Sequence, residues 1–332
     1  MKTAVLLALL FSTSAFAATP VAYLYPQRLV TVQGTRHLNL YCVGEGRPTV
    51  VFDSGLADST AVWRLVQSKV GKITRACAYD RAGYGFSDPP TGVSDASAAV
   101  EDIHRLIAAA PIATPIVYVG HSIAGLYGVL LQAKYPRDVA GEVLVDPSYA
   151  NQFLVAAAVL PPMQRAKWLA GLTDAVAHMR KCAALKGPLP ADCLDGDAMS
   201  RPGDTALAAL EKQRVSRPSY ILANASEYES FIPDHGRKGA SQREVEAVKP
   251  DFGDKPLVIL THSIPGHDPD LTPAQNAAME QAWNAGHDRL AVLSRRGSNQ
   301  LVPGSHHSIQ MDQPQAVIDA IAKVVAEVRG GR

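Results

Sequence analysis

A chain of 332 residues carrying 32 basic and 31 acidic side chains has almost no net charge. That balance, with no basic cluster, argues against nucleic acid or an anionic membrane surface as the main partner. A 47% hydrophobic content, free of repeats, charge blocks and low-complexity tracts, suits one large globular core or a core with an insertion.

The first 17 residues read as a secretory leader. Lys2 supplies the positive start, residues 5–11 the apolar segment, and Ala15-Phe16-Ala17 the small-x-small cleavage site. The apolar segment is far shorter than the ~20 residues a membrane-spanning helix needs, and no second long one follows. The mature chain is therefore expected to begin near Ala18, to be secreted or periplasmic, and to have no stable membrane insertion. Its oligomeric state stays open.

Next come runs at 29–32 and 37–42, which predict a hairpin around Gly34. Short apolar runs at 49–52, 76–79, 116–119 and 141–145 predict buried strands, with helical segments at 59–70, 96–110 and 126–135 between them. Strands alternating with helices imply an α/β architecture, a mostly parallel central sheet flanked by helices on both faces. From 149 to 250 the rhythm breaks into alanine-rich helix formers cut by proline and glycine. The strand signal returns at 257–260, and again at 290–294 or 299–302. A returning strand needs a sheet to join. The expected layout is thus a core from 18–148 and 251–332, with a helical cap insertion at 149–250.

Cys42, Cys77, Cys182 and Cys193 all lie in the exported part, and an even count in an oxidising compartment predicts disulfides. Spacing favours Cys182–Cys193 around a short loop, leaving Cys42–Cys77 to join two strands. No C-x-x-C spacing points to zinc.

Gly120-His121-Ser122-Ile123-Ala124-Gly125 links the strand at 116–119 to a helix. A serine hydroxyl is a poor nucleophile at neutral pH. A sharp strand-to-helix turn lifts it clear of the sheet, where a histidine can take its proton. Small residues on either side let strand and helix approach closely. Here alanine stands in the second small position, with a glycine after it.

Four ordered segments then resemble the α/β-hydrolase superfamily, and within it the capped bacterial serine hydrolases. They are Thr49-Val-Val-Phe-Asp-Ser-Gly55 with Trp63, Asp80-Arg-Ala-Gly-Tyr-Gly-Phe-Ser-Asp88, Val143-Leu-Val-Asp-Pro147 and His307-Ser-Ile-Gln-Met-Asp-Gln-Pro314. Relatives with aspartate at the elbow cleave carbon–halogen bonds or epoxides; Ser122 implies acyl transfer through an acyl-enzyme instead. The resemblance places the base at His307 rather than the adjacent His306. It puts the third member at Asp146, or alternatively at Asp268 after the returning strand. Backbone N–H groups of Leu56 and Ile123 would form the oxyanion hole, with Asp80 and Asp88 tying the glycine loop and Asp312 orienting the final helix.

The implied function is cleavage of a small-molecule carboxylic ester without metal or organic cofactor. Phe153, Met163 and Trp168 of the cap would line an apolar wall. An exported amidase or aminopeptidase, with Glu227 or Glu229 binding an amine, is the rival enzyme; a non-catalytic ligand-binding relative is the rival of another class. His262, His267, His306 and His307 fit no helical metal-binding pair.

Overall fold

The computed structural model describes residues 21–194, 204–233 and 237–331. The leader expected at 1–17 lies outside them. Eight strands form one sheet: β1 (Arg28–Gln33), β2 (Arg36–Val43), β3 (Val50–Asp53), β4 (Ala76–Tyr79), β5 (Ile116–His121), β6 (Val139–Val145), β7 (Leu257–His262) and β8 (Gly297–Val302). Their order is β1-β2-β4-β3-β5-β6-β7-β8. Only β1–β2 and β2–β4 pair antiparallel; every pairing from β4 through β8 is parallel.

β3, β4, β5 and β7 are buried along their whole length, because helices cover both faces and leave no residue in water. One apolar cluster joins the sheet to the helices Ala96–Ala109 and Ile123–Lys134. The other joins the opposite face to Thr60–Trp63 and the helix Pro314–Arg329. Asp95 caps Ala96–Ala109 by accepting from Ala98 N.

The segment expected as one helix at 59–70 is a 3₁₀ turn, Thr60–Trp63, followed by the short helix Gln67–Val70. The last strand is Gly297–Val302; Leu290 and Ala291 instead close the helix Pro273–Ala291, which starts on a capping box at Thr272. Between β6 and β7 the described residues form helices and no named strand: Gln152–Ala158, Pro162–Ala183, Thr205–Val215, Pro218–Phe231 and Ala240–Ala247, with a 3₁₀ turn at Ala191–Cys193. The last of these packs beside Ala96–Ala109 and Ile123–Lys134, within the layer that covers the sheet.

Both expected disulfides are present. Cys42 and Cys77 face each other across the β2–β4 pair, and Cys182–Cys193 ties the long helix Pro162–Ala183 to the loop that follows it. Among the described residues no helix is long and apolar enough to cross a membrane.

Candidate active site

The parallel strands β5, β6, β7 and β8 lie side by side, and their C-terminal ends deliver the polar side chains to one edge. β5 ends at His121, immediately before Ser122. β6 ends immediately before Asp146, β7 ends on His262, and the loop after β8 carries His307.

Ser122 sits at φ 54°, ψ −121°, a strained backbone for a residue with a Cβ. Close packing on both sides enforces that turn. A Cβ on Gly120 would lie 2.7 Å from the Ala124 carbonyl oxygen, and one on Gly125 would lie 2.2 Å from Pro147 Cβ. The second of these draws the helix Ile123–Lys134 against the end of β6. Gly125 therefore provides the close approach that the sequence pattern assigned to its neighbour.

Ser122 Oγ donates to His307 Nε2 at 2.9 Å, and His307 Nδ1 donates to Asp146 Oδ2 at 2.5 Å. Asp146 is fully buried, also at positive φ, and accepts three further hydrogen bonds. His262 Nδ1 donates to Oδ2 at 2.7 Å, while the His262 N–H and Trp283 Nε1 each donate to Oδ1 at 3.2 Å. Burial alone would push this carboxyl up; the hydrogen bonds from His262 and His307 outweigh it and hold it well below the usual carboxylate range. Asp268 is not part of this arrangement. Its Oδ1 accepts from Asp270 N, and its own N–H donates to Asn276.

His306 points elsewhere: its N–H and Nδ1 both engage Asp312 Oδ2, at 2.8 and 3.1 Å. Asp312 thus fixes the histidine loop rather than orienting the final helix. Asp80 accepts from Thr60 N, Asn39 Nδ2 and Phe86 N, and Asp88 from His37 N, so both tie the glycine loop together. His121 braces His307 from behind, its Nε2 donating to the His307 carbonyl at 3.1 Å. Ile123 opens its helix, so its N–H has no partner one turn back. Leu56 follows Gly55 in the loop after β3, which lies against His121.

The sequence offered no partner for His262, yet the structure sets it between two carboxylates. Its Nε2 lies 3.3 Å from Glu280 Oε2, opposite the bond to Asp146. Burial works against its charge, but the bonds to Asp146 and Glu280 prevail and push it up to about 10. In the same cluster, burial pushes His287 down to about 4, and its Nε2 donates to the Pro147 carbonyl. Asp146, His262 and His307 each offer a ligand atom within 4.8 Å of the others, the kind of set a transition metal takes. Here those atoms are bound to one another through shared protons.

Between pH 6.5 and about 10 the folded chain holds a proton on His262 that the unfolded chain releases, so this contribution is full below pH 6.5 and lost as pH rises through 10. Urea unfolding of wild type against His262→Gln is expected to show a stability difference that shrinks across that window. A difference that stays constant with pH would show that His262 does not hold a second proton in the folded chain.

A cavity of about 700 Å³ opens beside His307. Tyr149, Phe153, Trp168, Met279 and Trp283 supply its apolar wall. Met163, expected there, is 87% exposed and stands away from it. Glu227 is buried among Arg81, Tyr84 and Tyr127, and Glu229 pairs with Arg180 on the surface, so neither carboxylate lines this cavity.

Three kinds of likeness accord with this geometry. Curated relatives match over short stretches. The uncharacterized protein YbdG of Bacillus subtilis is 27% identical over 128 residues, 38% of this chain and 39% of its own length. A vacuolar membrane protein of Saccharomyces cerevisiae is 33% identical over 113 residues, 33% of this chain and 17% of its own. This chain thus spans well under half the length of either.

Solved structures match over nearly the whole fold. An esterase from Thermogutta terrifontis is 19% identical with TM-score 0.56, covering 91% of this chain and 98% of its own. A mutant of a protein from Pseudomonas aeruginosa described as a "putative epoxide hydrolase" is 16% identical with TM-score 0.61, covering 91% and 97%. Est816, described as an N-acyl homoserine lactone degrading enzyme, is 17% identical with TM-score 0.56, covering 89% and 99%. At these identities the likeness concerns the fold. The profile of the alpha/beta hydrolase family matches residues 50–320, and with the elbow, the sheet order and the strand-end side chains it leads to one conclusion: the chain belongs to the α/β hydrolase family.

Proposed function

We propose that this protein is an exported serine hydrolase that cleaves small-molecule carboxylic esters through an acyl-enzyme on Ser122. The observation that carries this reading is the continuous chain Ser122 Oγ–His307 Nε2 and His307 Nδ1–Asp146 Oδ2. In the reaction His307 takes the Ser122 proton as Oγ attacks the carbonyl carbon. Asp146 holds the Nδ1–H and stabilises the imidazolium that forms. The oxyanion is received by the N–H groups of Leu56 and Ile123. His307 then protonates the departing alcohol, and a water repeats the sequence to free the acid.

The aromatic cavity supports a substrate with an apolar acyl or alcohol part, and residues 149–250 act in this reading as the cap that shapes it. Two structural neighbours, described as an esterase and as an N-acyl homoserine lactone degrading enzyme, act on the same bond class. Export rests on the leader and agrees with the two disulfides. An amine-recognising peptidase built on Glu227 or Glu229 draws no support, since both are engaged away from the cavity.

The test is reaction with a fluorophosphonate, followed by a p-nitrophenyl acyl series. A single adduct on Ser122, with parallel loss of ester turnover, is expected. Folded protein with neither label nor turnover would overturn the reading.

A further inference from the structure

Arg81 takes no part in the Ser122–His307–Asp146 chain, but its guanidinium is buried beneath the loop that follows β3. All five of its N–H groups have acceptors. Nε donates to Glu227 Oε1 at 2.9 Å; Nη1 donates to Asp53 Oδ1 at 2.7 Å and to the Ser54 carbonyl; Nη2 donates to the Gly55 carbonyl at 2.7 Å and to Glu227 Oε2 at 3.2 Å. Two adjacent backbone carbonyls are thus held by one cation.

The Gly55–Leu56 peptide is trans, so its C=O and N–H point in opposite directions. Holding the Gly55 oxygen against Arg81 aims the Leu56 N–H away from the guanidinium. Gly55 meanwhile lies against the elbow: a Cβ there would be 2.8 Å from His121 Nδ1, and His121 directly precedes Ser122. Ala57, the residue after Leu56, is at φ 64°, so the loop leaves ordinary backbone conformations just past the critical peptide. The same carbonyl also accepts from Asp58 N at 3.3 Å, and Arg81 at 2.7 Å adds the shorter, charged hold on this peptide.

This hold is itself anchored. Glu227, on the insertion helix Pro218–Phe231, also accepts from Tyr84 at 2.7 Å and from Tyr127 at 2.8 Å. Tyr127 belongs to the helix that begins just after Ser122. One carboxylate therefore joins the Arg81 loop, the nucleophile helix and the helical insertion.

We propose that Arg81 is a positioning residue for the oxyanion hole, fixing the Leu56 N–H through the Gly55 carbonyl, and that Glu227 couples this setting to the helical insertion. The inference rests on the ester-hydrolase reading above. Its consequence is specific to the tetrahedral intermediate. A misaimed Leu56 N–H weakens oxyanion binding while leaving ground-state binding in the cavity intact.

The experiment compares wild type, Ser122→Ala, Arg81→Lys and Glu227→Gln on one p-nitrophenyl ester, with thermal melting of each. It adds inhibition by an alkyl trifluoromethyl ketone, which forms an oxyanion adduct on the serine. Lysine keeps the charge but lacks the planar fork needed to reach both carbonyls and both carboxylates. Folded Arg81→Lys is expected to lose about 10²-fold in kcat and in ketone affinity together, with KM changed less than about threefold. Glu227→Gln is expected to lose about tenfold in the same two quantities, a partial loss of one oxyanion donor. Folded variants with wild-type kcat and ketone affinity would overturn the inference. If Arg81→Lys does not fold, Glu227→Gln decides on the same criterion. Absence of Ser122-dependent turnover in wild type would instead overturn the ester reading and this inference with it.

Discussion

Ser122→Ala is expected to lower kcat for a p-nitrophenyl ester by about 10⁶, and Asp146→Asn by about 10⁴, with the fold intact in both. The two losses have different origins. On the proposed mechanism alanine removes the atom that would form the acyl bond, so only the oxyanion hole and binding would remain. Asparagine keeps the shape of the acid but not its charge, and its amide can donate toward His307 Nδ1, favouring the tautomer that cannot accept from Ser122. The arrangement here sharpens the second effect. Asp146 Oδ2 receives both His307 Nδ1 and His262 Nδ1, so one uncharged oxygen would have to satisfy two imidazoles. Steady-state kinetics of both variants beside Asp268→Asn gives the comparison. Asp268→Asn is expected to change kcat by less than about threefold, because its carboxylate touches neither His307 nor Ser122. A loss on Asp268→Asn matching that on Asp146→Asn would sink the geometric assignment.

The choice between Asp146 and Asp268 illustrates what the chain discloses in one dimension. Hydrophobic pattern located the first seven strands closely, because each carries a short apolar run bounded by turns; the last, Gly-Ser-Asn-Gln-Leu-Val, is mostly polar. The elbow was legible for the same reason: Ser122 directly follows an apolar run and precedes a helix. Local pattern offered two places for the acid and left the last strand between 290–294 and 299–302. The deciding facts are the sheet order, which sets β6 beside both β5 and β7, and the burial of Asp146 under Trp283. Neither is encoded in spacing.

Two other contributors were hidden more deeply. His262 is the last residue of β7, and its meaning depends on Asp146, 116 positions away, and on Glu280 from a helix that the strand rhythm did not announce. Arg81 lies within the recognised glycine loop, but its partner Glu227 is 146 positions on, in the segment where sequence pattern gives only helix content. In sequence alone Glu227 reads as a candidate amine receptor, because an acidic residue in that segment could bind a free amino group. In the fold it is instead buried against an arginine and two tyrosines. Local hydrophobic period reveals elements, whereas polar networks between distant elements need the third dimension.

The second large effect concerns stability. Glu142 sits in the middle of β6 with its carboxyl buried over Gly128, and neither oxygen has a hydrogen-bond partner among the described residues. Burial pushes this group up from 4.5 to about 8, with Lys255 only partly opposing it. Between those values the folded chain holds a proton that the unfolded chain releases, so stability falls as pH rises through the window. At pH 7 the penalty is on the order of 3 kcal/mol relative to a group that does not titrate. Glu142→Gln removes the titration and keeps the shape; Glu142→Met also removes the orphaned polar atoms, whose burial costs about 1–3 kcal/mol in its own right. Both variants are therefore expected to gain on wild type progressively from pH 4.5 to 8 in urea unfolding. The Gln advantage should vanish below pH 4.5, while the Met variant should keep part of its own. A gain for Glu142→Gln that does not grow with pH would show that the carboxyl is not held protonated in the folded chain. No part of the Ser122–His307–Asp146 chain touches Glu142, so ester turnover serves as the internal control, and a stabilised variant should retain it.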